Sequence, residues 1–230
     1  MKFLLFDIDG TLIDSGGAGV RSLNSAFEEM FGRKDAFARI SMAGKTDLQI
    51  LREGMISNSI SYTEDAAGEF LALYTTHLRA GMKESGGRVK AGIRESLEAL
   101  RLNDEHILGL LTGNIEEGAR IKLAHFGLSS YFEVGAYGND SEDRNRLLPV
   151  ALDKLYRARA LSVEYRNCVV IGDTPRDVDC AKTYGAYSIA VATGPYTFDQ
   201  LVRAGADRVF EDLSDTGEFL SVLNDGYPVS

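Results

Sequence analysis

The sequence predicts an α/β fold, a doubly wound parallel sheet carrying an inserted all-helical segment. Three observations support that expectation. Short apolar runs recur along the chain, at Phe3–Phe6, Ile107–Leu111, Val134–Tyr137, Val169–Ile171, Ile189–Val191 and Arg208–Phe210. Helix-length amphipathic segments separate most of them, including Ile93–Leu102, Glu116–Phe126, Leu148–Arg159 and Asp177–Tyr184. Strands alternating with helices build a parallel sheet covered on both faces. The third observation is a break in this rhythm after the first strand.

In order along the chain, Phe3–Phe6 reads as a buried opening strand. Residues 15–83 then show helical spacing and no strand. Val20, Leu23, Ala26, Phe27, Met30 and Phe31 share one face, as do Leu48, Ile50 and Leu51, and later Phe70, Leu71, Leu73, Tyr74 and Leu78. Glycine-rich segments flank this stretch, Ser15–Gly17 before it and Gly81–Gly87 after it, and read as flexible linkers. Residues 1–14 and 84–230 are thus expected to form the sheet-bearing core, with 15–83 as an inserted helical domain. Three helix starts are legible. Thr46-Asp47-Leu48-Gln49 fits a capping box, and Asn114-Ile115-Glu116-Glu117 fits one more loosely. Thr174-Pro175-Arg176-Asp177 offers a cap residue, proline at the first helical position and an acid in the first turn.

The chain has 230 residues, 44% hydrophobic and 26% charged, which fits a globular protein with a sizeable core. Its formal net charge of −9 argues against nucleic acid or an anionic membrane as a partner. No apolar run approaches the roughly 20 residues needed to cross a bilayer. The N-terminus lacks the apolar core and cleavage site of a signal peptide. Cys168 and Cys180 have no CxxC spacing, so neither a disulfide framework nor a zinc site is expected, and a cytoplasmic, reducing compartment fits. The histidines, His77, His106 and His125, share no ligand spacing. The oligomeric expectation is a monomer or a small homo-oligomer.

The chemistry gathers at strand ends, where open α/β sheets bind ligands. Asp7 and Asp9 end the first apolar run, followed by Gly10 and Thr11. Two carboxylates this close repel unless a cation sits between them or one carries a proton, which points to a hard divalent metal and acid–base chemistry. Thr112, Gly113 and Asn114 end the Ile107 strand; a hydroxyl beside a helix N-terminus suits a phosphate group. Asn114 reads first as a cap of that helix. Asp173 ends the Val169 strand, and Asp177 follows inside the next helix.

In that order and spacing these residues resemble the haloacid dehalogenase superfamily of phosphohydrolases. The DxDGT motif matches at Asp7-Ile8-Asp9-Gly10-Thr11, the Ser/Thr motif at Thr112-Gly113-Asn114, and GDxxxD at Gly172-Asp173-Thr174-Pro175-Arg176-Asp177. The helical insertion resembles the family's C1-type cap, and Gly44-Lys45-Thr46-Asp47 resembles a cap segment of its phosphoglycolate-phosphatase-like branch. The resemblance implies that Asp7 is a nucleophile forming an aspartyl-phosphate, with Asp9 as general acid and base. It implies a Mg2+ held by Asp7, Asp173 and the backbone carbonyl of Asp9. Thr112, with Gly10, Thr11, Gly113 and Asn114, would contact the phosphate. Asp177 would orient metal-bound water or a basic residue. The presence of Asp9 favours ester hydrolysis or a phosphomutase, because an alkoxide needs a proton to leave and a halide does not.

One motif departs from the family. A lysine is usual before the Leu148 helix, yet none occurs between Lys122 and Lys154. Arg144 is the expected substitute, with Arg146 second; either could neutralise an aspartyl-phosphate. Lys45 is the expected substrate contact from the cap. The functional expectation is a Mg2+-dependent phosphatase acting on a small phosphorylated metabolite, phosphoglycolate-like compounds first. The alternatives are a β-phosphoglucomutase-like enzyme and a phosphate- or metal-binding protein without catalysis.

Overall fold

The computed structural model describes residues 1–224. Six strands form one parallel sheet: β1 (Lys2–Phe6), β4 (His106–Leu111), β5 (Val134–Ala136), β6 (Cys168–Gly172), β7 (Tyr187–Val191) and β8 (Arg208–Phe210), in the spatial order β5-β4-β1-β6-β7-β8. The chain winds outward from β1 in one direction through β4 and β5, then returns to place β6, β7 and β8 on the other side. This is the doubly wound topology expected from the sequence. The switch falls at β1, so the C-terminal ends of β1, β4 and β6 open a crevice between them.

Period-two alternation explains why both faces are covered. Leu4, Phe6, Leu108, Leu110, Val169 and Ile171 point to one face, against α4 (Ile93–Arg101), α5 (Glu116–Phe126) and α9 (Thr216–Asn224). Phe3, Leu5, Ile107, Leu111, Cys168 and Val170 point to the other, against α6 (Leu147–Arg159) and α7 (Pro175–Thr183). Strand β6 is buried at every position, which is why it reads as an unbroken apolar run.

Three helices lie between β1 and β4 in sequence: α1 (Ala18–Phe31), α2 (Asp47–Ser57) and α3 (Glu64–Glu84). They share an apolar cluster of their own, centred on Phe27, Phe37, Phe70 and Tyr74 and closed by Ile115 and Ile121 of the core. A two-stranded antiparallel ribbon, β2 (Ile13–Asp14) with β3 (Arg88–Val89), ties entry and exit together. The expected linker over Gly81–Gly87 is shorter than its glycines suggest. Helix α3 runs through Gly81 to Glu84, with Met82 buried, so apolar packing overrides the helix-breaking tendency of that glycine. Among the described residues no helix is long and apolar enough to cross a membrane.

Candidate active site

The three central strands each deliver one polar side chain to the crevice. Asp7 follows β1, and its N–H donates to the Ile171 carbonyl of β6 at 2.9 Å, so the ladder continues one residue past the strand. Thr112 follows β4 and Asp173 follows β6. All three are buried, with Thr112 at 0% and Asp173 at 1% exposure. Glycines permit this convergence. Gly10 has φ +87°, and a Cβ there would sit 2.2 Å from Asp173 Oδ2; a Cβ on Gly194 would sit 1.7 Å from the same oxygen.

Asp7, Asp173 and Asp177 bring carboxylate oxygens within 4.8 Å of one another. Arg144 stands against them, its Nη2 3.2 Å from Asp7 Oδ1 and 2.5 Å from Asp177 Oδ1. Arg144 is 5% exposed and sits in a single 3-10 turn, Arg144–Arg146, immediately before α6. Arg146 is solvent-exposed and lies 3.9 Å from Asp143, outside the crevice, so only the first of the two expected arginines reaches the aspartates. Burial pushes the Asp7 carboxyl up to about 6; Arg144 and the Thr112 hydroxyl pull it down, while Asp177 and Asp9 push it further up. Asp173 is raised for the same reason, burial first and then the Asp7 and Asp177 charges, with Thr11 and Arg144 opposing. Buried carboxylates that one guanidinium cannot neutralise suit a hard divalent cation. The expected metal set takes Asp9 through its backbone carbonyl; the third carboxylate of the trio is that of Asp177. Yet Asp177 is already committed, with Oδ1 to Arg144 and Oδ2 to the N–H and hydroxyl of Thr174 at 3.0 and 2.7 Å. Asp7, with one oxygen against Arg144, and Asp173, with one against Thr11, are less committed and could hold an ion, while Asp177 suits orienting Arg144 and capping α7.

The Asp9 side chain turns the other way. Its Oδ2 accepts from Lys122 Nζ at 2.6 Å and from Asn114 Nδ2 at 2.9 Å. Burial alone would raise the Asp9 carboxyl; the charge and hydrogen bond of Lys122, with hydrogen bonds from Asn114 and Ser15, overcome that and hold it below the usual carboxylate range. Reading Asn114 as a helix cap is therefore incorrect. Ile115 occupies the cap position of α5, and the helix N-terminus is satisfied from elsewhere: Ile115 N–H donates to Asp47 Oδ2 and Glu116 N–H to Asn139 Oδ1. Asn114 instead joins Thr112, Asp9 and Lys122. Lys122 escaped the sequence reading because one lysine on an amphipathic helix looks like a solvated charge. Its place among Ala119, Ile121 and Leu123, on the buried side of α5, was the available signal. Ser15 was missed because a serine beside two glycines reads as a linker residue.

Thr11 and Thr112 lie behind the crevice wall. The Thr11 hydroxyl donates to Asp173 Oδ1 at 3.1 Å, and Thr112 Oγ1 accepts from Asn114 Nδ2 at 2.9 Å. Both hydroxyls therefore brace acidic or amide groups. Lys45 lines the cavity, but its amine is ion-paired with Glu53 Oε2 at 2.5 Å, so a substrate contact would have to share it.

The helical insertion roofs the site. Asp47 N–H donates to Gly113 O at 2.8 Å, and Thr46 Oγ1 donates to Glu142 O at 2.9 Å. Gly113 is glycine because a Cβ there would meet Lys45 O at 2.0 Å. Thr46 caps α2 by accepting from Gln49 N–H, while the Gln49 side chain bonds Glu53 and leaves the expected box half-made. The cavity between roof and floor is about 270 Å³, suited to a small molecule. Its floor carries Asp7, Asp9, Asn114, Lys122, Arg144 and Asp173; its roof carries Val20, Leu23, Ile50 and Tyr74.

This arrangement has known relatives. The family model for haloacid dehalogenase-like hydrolases matches residues 4–191, from within β1 to the end of β7. The chain belongs to that family. A phosphoglycolate phosphatase of Rhodospirillum rubrum is 27% identical over 234 aligned positions, covering 98% of this chain and 93% of that protein. One of Vibrio cholerae is 25% identical, covering 97% of each. Among solved structures, a hydrolase from Pseudomonas syringae superposes with a TM-score of 0.72 at 22% identity, covering 97% of this chain and 99% of that one. At that identity the superposition speaks for the fold alone. This hydrolase of the haloacid dehalogenase-like family thus carries the fold and motif order that its residues resemble.

Proposed function

We propose that this hydrolase is a Mg2+-dependent phosphatase acting on a small phosphorylated metabolite through an aspartyl-phosphate on Asp7. The observation that carries the reading is the position of Asp7, beside Asp173 and 3.2 Å from Arg144, with a second aspartate two residues on. Asp7 and Asp173, with the Asp9 carbonyl, would hold Mg2+, which would supply the charge neutralisation that lets a carboxylate approach a phosphate dianion.

The residues then divide the work. A carboxylate oxygen of Asp7 attacks phosphorus, forming the acyl-phosphate bond and breaking the bond to the alcohol oxygen. With the phosphate dianion alongside, which favours the neutral carboxyl, Asp9 carries a proton, gives it to that oxygen and is left as a carboxylate. Water attacks phosphorus next, its proton passes to Asp9, and the bond to Asp7 breaks to release phosphate. Arg144, held by Asp177, offsets the charge on the phosphoryl oxygens. Residues 15–83 serve as a cap whose roof excludes bulk water, hinged near Ser15–Gly17 and Ser85–Gly87. Phosphoglycolate heads the candidate substrates because two relatives bear that activity in their names.

The test is a panel of phosphorylated metabolites with Mg2+, including phosphoglycolate, sugar phosphates and nucleoside monophosphates, run on the wild type and Asp7→Asn. Free phosphate from the wild type and none from the variant supports the reading. An isomerised sugar phosphate with little free phosphate would favour the mutase, and Mg2+ binding with no turnover would favour a binding protein.

A further inference from the structure

We infer that Lys122 is a positioning residue for the hydrolytic half of the reaction, fixing the Asp9 carboxylate where it takes the proton from water. The inference rests on the phosphatase reading above. Lys122 lies in α5 and is 4% exposed. Helical side chains lean toward the helix N-terminus, so the lysine stem runs back along α5 and brings its amine to the crevice floor. There it donates to Asp9 Oδ2 at 2.6 Å and to Asn114 Oδ1 at 2.6 Å. Asn114 closes the ring, its Nδ2 reaching Asp9 Oδ2 and Thr112 Oγ1, each at 2.9 Å. Asp9 is thus gripped by two donors that are themselves joined, and the Asn114 donor is anchored to Thr112, the residue after β4.

A buried lysine is costly unless paired, and among the described residues its amine bonds Asp9 and Asn114, both on the crevice floor. A carboxylate on a turn after a strand has two free side-chain torsions. The ring removes that freedom and fixes the carboxylate's orientation at the crevice floor. In the hydrolytic half the carboxylate left after the first step must be oriented toward the attacking water.

The experiment is pre-steady-state and steady-state kinetics with p-nitrophenyl phosphate and Mg2+ on the wild type, Asp7→Asn, Lys122→Met and Lys122→Arg. p-Nitrophenolate leaves without needing a proton, so Asp9 matters to this substrate mainly in the hydrolytic half. Lys122→Met is expected to show a burst of one p-nitrophenolate per active site, a kcat at least about tenfold below wild type, and a KM that falls with it, leaving kcat/KM within about threefold. Lys122→Arg, which keeps the charge, should recover part of the kcat. A thermal melt of each variant identifies any loss caused by unfolding, in which case the arginine variant carries the comparison. The inference is overturned by wild-type kinetics in Lys122→Met, by a raised KM at unchanged kcat, which would make Lys122 a substrate-binding group, or by equal falls in kcat and kcat/KM without a burst. No p-nitrophenolate from the wild type, or undiminished turnover in Asp7→Asn, would instead reject the phosphatase reading itself.

Discussion

The guanidinium of Arg144 lies 3.2 Å from the Asp7 carboxylate and is held there by Asp177 at 2.5 Å. A buried arginine occupies the place where a lysine is usual for this family, and one guanidinium nitrogen, Nη2, reaches both acids. Arg144→Met is therefore expected to lower kcat for phosphate-ester hydrolysis by at least about 100-fold. The same variant should be less stable by about 3 kcal/mol, because Asp7 and Asp177 lose their buried counter-charge. Arg146→Met should stay within about twofold in both rate and stability, as an exposed side chain with only a weak surface ion pair. Steady-state kinetics and urea unfolding of the two variants check this; the reverse ranking would move the cationic role by two residues.

Asp173 has one face toward Thr11 and the other toward the crevice, packed against Gly10 and Gly194. Titrating Mg2+ into the wild type should raise its melting temperature, since an ion bound only by the folded state stabilises it by mass action. Asp173→Asn should abolish that rise and the turnover together. A full Mg2+ shift in the variant would show that the ion binds elsewhere.

Asp47 is 7% exposed and its carboxyl is pushed up to about 6, by burial first, with Lys122 and the Ile115 N–H opposing and Asp9 and Asp7 reinforcing. The folded value lies above the unfolded one, so the folded state binds the extra proton. Stability from this group is complete below about pH 4 and is lost as pH rises through 6. Asp47→Asn keeps an acceptor for Ile115 without the charge. It should match the wild type near pH 4 and exceed it by up to about 3 kcal/mol above pH 7. Urea unfolding at several pH values in metal-free buffer measures the gap; a gap independent of pH would mean that Asp47 is ionised throughout.

Gly113 touches the roof, with no room for a side chain beneath Lys45 O. Gly113→Ala should displace the Gly44–Asp47 segment and lower kcat/KM by about 100-fold, because small misplacements of closing elements are expensive in rate. Kinetics with a small phosphate ester would show it; an unchanged kcat/KM would separate the roof from catalysis.

The sheet was legible in the sequence because each strand is a short apolar run bounded by turn residues. Asp7, Thr112 and Asp173 were legible because they stand at the ends of those runs. The residues that escaped are those whose role depends on what folds onto them. Lys122 is a helix lysine until β4 and β1 bring Asn114 and Asp9 beneath it. Asn114 reads as a cap because a cap supplied from another element, Asp47, leaves no trace beside it in the chain. Gly81 reads as a linker because sequence spacing does not reveal that Met82, its neighbour, is buried.

The most direct measurement is acid quench of the working enzyme with p-nitrophenyl phosphate and Mg2+, followed by mass mapping of peptides. A phosphoryl group is expected on the peptide containing Asp7, on that residue, and on no peptide of Asp7→Asn, which should also release no phosphate. A phosphoryl group on another residue, or near-normal turnover by Asp7→Asn, would contradict the assignment of Asp7 as the nucleophile.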